Sequence, residues 1–225
     1  MEPNKINAII IATEITKGMK SVGPKSLLQI KKTLSVIEYQ ILELKKCYKE
    51  ISINISIGFE SERMIKALSQ YDVNLIINKE FKTTNQVKSI VDCVEEAEIK
   101  NLLVINNGVL FKKSFGEVCD TSSSAIYILD KSKPDFNIGC QTSSDTTYLF
   151  YDLPEKWSEC VFLNYDAITK IKDIAKNKNI TQLYVFELVN MLIDNDYRFE
   201  KIKIPKNSIM KITGIKDLQR AKVFI

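Results

Sequence analysis

Apolar and polar residues follow two different rhythms along this chain of 225 residues. Up to about residue 106, short apolar runs alternate with longer stretches of helical spacing. Residues 8–12 form an unbroken apolar run that reads as a buried parallel strand. Leu34, Ile37, Ile41, Leu44 and Tyr48 recur every three or four positions, so residues 34–49 are expected to be helical. Isoleucine alternates with polar residues over 51–58, a strand closed by Gly58. Residues 60–70 carry Met64, Ala67 and Leu68 on one helical face, and 73–78 read as a strand. Residues 84–97 form a helix with Val87, Ile90, Val91 and Val94 inward, and 102–106 is another buried strand. Strands alternating with helices predict a parallel sheet with right-handed crossovers.

After about residue 120 the rhythm changes. Residues 124–130, 136–141 and 148–151 read as consecutive short strands, with a further one at 160–163. Helices are expected at 166–176 and 181–194, late strands at 198–204 and 209–212, and a terminal helix at 215–224. The predicted fold is α/β: a doubly wound, mostly parallel Rossmann-like sheet with an antiparallel extension, in one domain over residues 1–225. No linker, repeat or low-complexity tract interrupts it. Trp157, the only tryptophan, lies in the stretch 154–160. It reads as a core anchor in preference to a lid or interface residue.

Composition narrows the chemistry. Hydrophobic residues make up 45% and charged residues 27%, as in an ordinary globular protein. The net charge of +4 suits a small anionic substrate and is too weak to argue for nucleic acid. Five cysteines (47, 93, 119, 140 and 160) are scattered without a C-x-x-C pair, which predicts free thiols in a reducing, cytoplasmic setting. No apolar run is long enough to span a membrane. There is no histidine, so histidine-based triads, general bases and metal ligands are excluded within this chain.

Five stretches carry a resemblance to a known family. The first strand opens into a basic loop, Ala12-Thr13-Glu14-Ile15-Thr16-Lys17-Gly18-Met19, that ends at Pro24-Lys25. Val36-Ile37-Glu38-Tyr39-Gln40-Ile41 precedes Ile55-Ser56-Ile57-Gly58-Phe59. Thr84-Asn85-Gln86-Val87-Lys88-Ser89-Ile90 follows Asn78 and Phe81. Asn106-Asn107-Gly108-Val109-Leu110-Phe111 ends the 102–106 run, and residues 209–221 read IMKITGIKDLQRA. Together, over nearly the full length, these resemble the nucleotidyltransferase superfamily, whose fold is glycosyltransferase-A-like. Its members include sugar-1-phosphate, phosphocholine and methylerythritol-phosphate nucleotidyltransferases.

The resemblance implies a nucleotide and a small phosphorylated substrate as ligands, with no nucleic acid and no membrane partner. It assigns Lys25 and Lys17 to the charge on the phosphates, as catalytic candidates. Ala12, Thr13, Glu14, Asn85, Ser89, Asn106 and Asn107 fall at nucleotide-binding positions. Asn85 and Ser89, four apart, share a helical face near an N-terminus, where small polar groups suit a base or sugar. The alternative reading of that stretch is a helix cap at Thr84.

The chain departs from the family in each chemical motif. The loop pattern A-A-G-x-G-x-R-M loses both glycines and the arginine, and Glu14 puts a negative charge where phosphates lie. The aspartates that hold the catalytic Mg²⁺ fall on Gly108 and Thr213, and Lys211 replaces a glutamate. Mg²⁺ is therefore implied only for a working enzyme, and Asp120, Asp145 and Asp166 are the remaining candidate ligands. The favoured reading is a divergent member that binds a nucleotide or phosphorylated sugar, with standard metal-dependent catalysis lost or altered. An active cytidylyl- or sugar-phosphate transferase that releases pyrophosphate is one alternative. A non-catalytic scaffold, as a homo-oligomer or with a protein partner, is the other. A glycosyltransferase ranks lowest, because Asp194-Asn195-Asp196 is the sole D-x-D and reads as a turn at a helix end.

Overall fold

A computed structural model describes residues 5–16, 18, 20–96, 98–112, 122–129, 134–143, 146–177, 179–205 and 207–225. In chain order the first half comprises β1 (Ile6–Ala12), β2 (Gln29–Lys31), β3 (Leu34–Ser35), α1 (Val36–Cys47), β4 (Ile51–Ile57), α2 (Ser61–Leu68) and β5 (Asn74–Ile77). It continues with α3 (Gln86–Glu96), β6 (Leu102–Asn106) and β7 (Val109–Phe111). The second half holds β8 (Ala125–Leu129), β9 (Ile138–Ser143), β10 (Thr146–Tyr151), β11 (Glu155–Leu163), α4 (Tyr165–Asn177) and α5 (Val185–Ile193). β12 (Glu200–Lys203), β13 (Ile209–Lys211) and α6 (Leu218–Phe224) complete it.

The main sheet runs β10-β9-β11-β6-β1-β4-β5, with β8 paired to β11 and β12 paired to β8. β1 is central and parallel to both neighbours, with Ile10 opposite Ile55 of β4 and Ile105 of β6. From β11 outward the main path turns antiparallel. The doubly wound sheet with an antiparallel extension is thus present. Continuous apolar strands are needed because helices cover both faces. Ile10 packs with Ile37, Ile41 and Met64 of α1 and α2, while Ile9 packs with Val87, Ile168 and Leu188 of α3, α4 and α5. A smaller core joins Ile30, Leu110, Ile212 and Ala221 around the β7–β13 pair.

Local chemistry fixes several boundaries. α1 starts at a capping box: the Glu38 amide donates to Ser35 Oγ at 3.4 Å, and the Ser35 amide donates to Glu38 Oε2 at 2.7 Å. The helix expected at 181–194 begins only at Val185, where Glu187 Oε2 accepts from the Tyr184 amide at 2.7 Å. The strand expected at 160–163 reaches back to Glu155. Trp157 lies inside that strand at 1% exposure, as a core anchor should, and its Nε1 donates to the Cys160 carbonyl at 2.8 Å. Between Trp157 and Val161 the pairing of β11 with β8 shifts register, and Glu159 takes φ +61°. This is a β-bulge, which re-aims side chains.

Cys93, Cys140 and Cys160 are buried and Cys47 is half-buried, and none of the four is in a disulfide among the described residues; Cys119 lies outside them. Burial pushes Cys93 and Cys140 up to about 12, which keeps both as neutral thiols.

Candidate functional site

The site forms where four chain segments meet at one end of the central strands. β1 delivers Thr13 and Glu14 just past its last residue. β6 ends in a tight turn, Asn106-Asn107-Gly108, before β7. β11 runs antiparallel to β6 and brings its bulge residue Glu159 against Asn106, whose Nδ2 donates to Glu159 Oε2 at 3.2 Å. β13 pairs with β7 so that Lys211 stands opposite Val109.

The turn is braced from below. Gln40 of α1, fully buried, donates to the carbonyls of Val109 at 2.9 Å and Asn106 at 3.3 Å. The glutamine of the Val36–Ile41 motif is therefore a support for the turn as well as a packing residue. The Asn107 amide bonds the Ile11 carbonyl at 3.2 Å, and Gly108 O accepts from Ile212 N at 2.8 Å. Gly108 has φ +87°, and an added Cβ would lie 2.6 Å from the Ile212 carbonyl oxygen. Only glycine fits that backbone without strain.

Lys25 enters from the short 3₁₀ turn Lys25–Leu27 that follows the basic loop. Its side chain runs beneath Gly108, and the lysine is 6% exposed. Its ammonium makes neither a hydrogen bond nor an ion pair among the described residues. Burial lowers its pKa, the Glu14 and Glu159 carboxylates pull it back up, and the Lys211 ammonium lowers it further. Lys211 is itself paired with Glu159. The Asn106 and Asn107 Oδ1 atoms are buried without partners.

These groups line a cavity of about 210 Å³. Its polar side comprises Glu14, Lys25, Asn106, Asn107, Glu159 and Lys211. The opposite wall is aromatic: Tyr151 meets Phe186 edge-on at 5.4 Å, Tyr184 stacks on Phe186 at 6.1 Å, and Trp157 lies beside them. A second cavity of about 370 Å³ adjoins it, lined by Thr13, Glu14, Phe81, Thr84, Asn85 and Gln86. The two share Glu14, Gln86 and Tyr184, and Glu14 Oε1 accepts from Gln86 Nε2 at 3.1 Å at their boundary. The first pocket holds two lysines and two glutamates beside an aromatic flank; the second has Glu14 and Lys82 on its wall and is rimmed by a helix N-terminus, the kind of wall a base or sugar can use.

Lys25, Glu14, Asn106 and Asn107 therefore converge on the first cavity, and Thr13 and Asn85 on the second. Asn85 Nδ2 also donates to the Gln182 carbonyl at 3.1 Å. Ser89 is fully buried inside α3 and lines neither cavity, and Ala12, 2% exposed, likewise lies in the core. Lys17, Asp120 and Asp145 lie outside the described residues. Asp166 is exposed in the first turn of α4, away from both cavities.

Sequence reasoning passed over Glu159 and the role of Lys211. Lys211 carried a signal, because it replaces an acidic family position. Glu159 carried none, since a bulge that turns a strand residue into a pocket has no mark in hydropathy.

The described residues of the site do not fit Mg²⁺. Gly108 and Thr213 bring no carboxylate, and the Thr213 hydroxyl donates to Asp217 Oδ2 at 2.6 Å. No group of three His, Cys, Asp or Glu residues able to hold a metal occurs among the described residues. Glu159 is already engaged by Lys211 and Asn106, and two ammonium groups line the same cavity. Magnesium asks for carboxylates and water, and a lysine repels it.

No protein-family model matches the chain, and no curated protein matches it in sequence. Its structure is similar to solved ones. CTP:phosphocholine cytidylyltransferase from Streptococcus pneumoniae superposes with a TM-score of 0.77 at 21% identity, over 97% of this chain and 98% of the other. The inositol-1-phosphate CTP transferase from T. maritima gives 0.77 at 11% identity, over 100% and 96%. A nucleoside-diphosphate-sugar pyrophosphorylase from Vibrio cholerae RC9 gives 0.72 at 10% identity, over 96% and 99%. The chain thus has the nucleotidyltransferase fold that its motifs imply. No helix among the described residues is long and apolar enough to cross a membrane.

Proposed function

We propose that this protein is a divergent nucleotidyltransferase-like protein that binds a nucleotide, a phosphorylated sugar or a similar phosphorylated alcohol, with standard metal-dependent transfer altered or lost. The observation that carries this reading is Lys25: buried, without a hydrogen bond or ion pair among the described residues, and facing a polar cavity. A buried ammonium without a partner is costly unless a ligand supplies the anion. The aromatic wall suits the body of such a ligand, whether a sugar ring or an alkylammonium group. The second cavity, with Phe81, Tyr184 and the polar Thr84, Asn85 and Gln86 on its wall, suits a nucleoside.

Working members of this fold position the acceptor phosphate against the α-phosphorus and neutralise the charge that develops as pyrophosphate leaves. Here Lys25 is the residue able to neutralise that charge, and Asn106 and Asn107 offer oxygens to ligand hydroxyl or amino groups. One observation favours a working transferase instead: two carboxylates, Glu14 and Glu159, face Lys25.

Calorimetric titration with nucleoside triphosphates and with sugar phosphates and phosphocholine tests the binding claim. Absence of binding at millimolar concentration would leave only a scaffold role. Pyrophosphate release over the same panel tests turnover, and sustained release that vanishes in Lys25→Ala would establish the active alternative.

A further inference from the structure

The charges around the cavity are balanced. Glu14 and Glu159 supply two negative charges, and Lys25 and Lys211 supply two positive ones. Glu159 is the better satisfied of the carboxylates, because Lys211 and the Asn106 amide both engage it. Lys211 keeps donors to spare beyond that pair, since an ammonium has three. Lys25 uses none of its own among the described residues.

Gly108 explains why the lysine fills this place. An added Cβ there would stand 3.1 Å from Lys25 Cε and 3.3 Å from its Nζ. The ammonium therefore lies against the point from which a side chain at position 108 would project. A fixed cation replaces the carboxylate that would recruit a mobile one. A triphosphate would bring about four negative charges into a neutral cluster flanked by Glu14, with no divalent ion to offset them. A phosphate monoester brings two at most, about half that load, and it can take the unused donors of both lysines.

We infer that Lys25 and Lys211 form a metal-independent site for a single phosphate monoester. The site takes a nucleoside monophosphate or a phosphorylated alcohol in preference to a magnesium triphosphate. The buried Asn106 and Asn107 oxygens then accept from hydroxyl or amino groups beside the phosphate. The inference rests on the phosphate-ligand reading above and narrows it to one charge state and no metal.

The test is calorimetry with CMP, UMP, AMP, GMP, glucose 1-phosphate and phosphocholine, each in EDTA and again in Mg²⁺, beside the four triphosphates. At least one monoester is expected to bind equally in both conditions and at least as tightly as any triphosphate. The nucleotide and non-nucleotide arms tell which kind of monoester it is. Lys25→Met and Lys211→Met should each weaken binding by about tenfold or more, the loss of one charge-assisted contact. Glu14→Gln, which removes the facing negative charge, should tighten it by several-fold, a gain that misfolding does not mimic. Binding that needs Mg²⁺, or a magnesium triphosphate that outcompetes every monoester, overturns this inference and leaves the broader reading intact. No binding of any phosphorylated probe overturns both.

Discussion

Gly108 and Lys25 lie in close contact: the Cβ that Gly108 lacks would stand 3.1 Å from Lys25 Cε. The turn after β6 and the lysine after the basic loop are thus fitted to each other. A side chain at position 108 would press on the end of Lys25, which would have to give by a few tenths of an ångström.

Gly108→Asp consequently fails to restore a metal site. At φ +87°, 2.6 Å from a carbonyl oxygen, any side chain strains the turn. A loss of about 2–4 kcal/mol is expected. Gly108→Ala should lose most of that amount, because the strain is in the backbone. Urea denaturation of both variants checks it, and an unchanged midpoint for Gly108→Ala would show that the turn is slack.

Lys25→Met should stabilise the free protein while it weakens phosphate binding. Removing a buried ammonium that has no hydrogen bond or ion pair among the described residues should gain about 1–2 kcal/mol near neutral pH. The sign with pH follows from the direction of the shift. Burial holds the folded value below the usual 10.5, so the unfolded chain binds more protons between the two. Wild-type stability from this group therefore rises with pH over that window. The advantage of Lys25→Met should be greatest below it and fade toward pH 10.5. Melting temperatures of the two proteins across that range provide the comparison.

Gln40→Leu keeps the shape of the α1 core and leaves the Asn106 and Val109 carbonyls without their donor. Two buried acceptors left unpaired should cost about 2–4 kcal/mol. Ligand affinity should fall as well, because the turn carries Asn106 and Asn107. Denaturation and calorimetry on the same variant separate this from a purely structural loss: at a temperature where the variant is fully folded, its affinity should still be lower.

Asp217 secures the far side of the β7–β13 pair. Burial pushes its carboxyl up, but the Thr213 hydroxyl, the Thr213 and Gly214 amides and nearby Arg220 outweigh that and hold it below its usual 3.8. Asp217→Asn should destabilise by about 1–3 kcal/mol at neutral pH. A depressed carboxyl contributes stability above its unfolded pKa and loses it as pH falls through the folded one. The gap between wild type and Asp217→Asn should accordingly close below pH 3.8, as measured by acid-dependent unfolding.

Much of this fold was legible because its strongest signals are local. Continuous apolar runs such as residues 8–12 and 102–106 have one reading when flanked by helices, and Ser35 with Glu38 marks a helix start in the sequence itself. What escaped depends on partners distant in sequence. β2, β3 and β7 are two or three residues long, too short for a period to show, whereas the strand expected at 209–212 is present as β13. α5 was expected four residues early because Thr181–Tyr184 continues the helical spacing. In the fold its polar groups serve other contacts, with the Thr181 carbonyl accepting from the Asn85 amide at 2.7 Å. In the site, Lys25 and the Asn106-Asn107-Gly108 turn were visible as motifs. Ser89 has motif spacing but turns inward, since the inner face of α3 packs on the sheet. Glu159 is placed by a bulge and Lys211 by a strand pair, so neither could be assigned to the cavity from spacing.

The most direct measurement is a crystal structure of the protein grown in EDTA with the monoester that binds best. One phosphate group is expected with oxygens about 3 Å from both Lys25 Nζ and Lys211 Nζ, and the ligand's body against Tyr151 and Phe186. A phosphate bound away from either lysine, or a ligand held only when a metal ion joins Glu159, would contradict it.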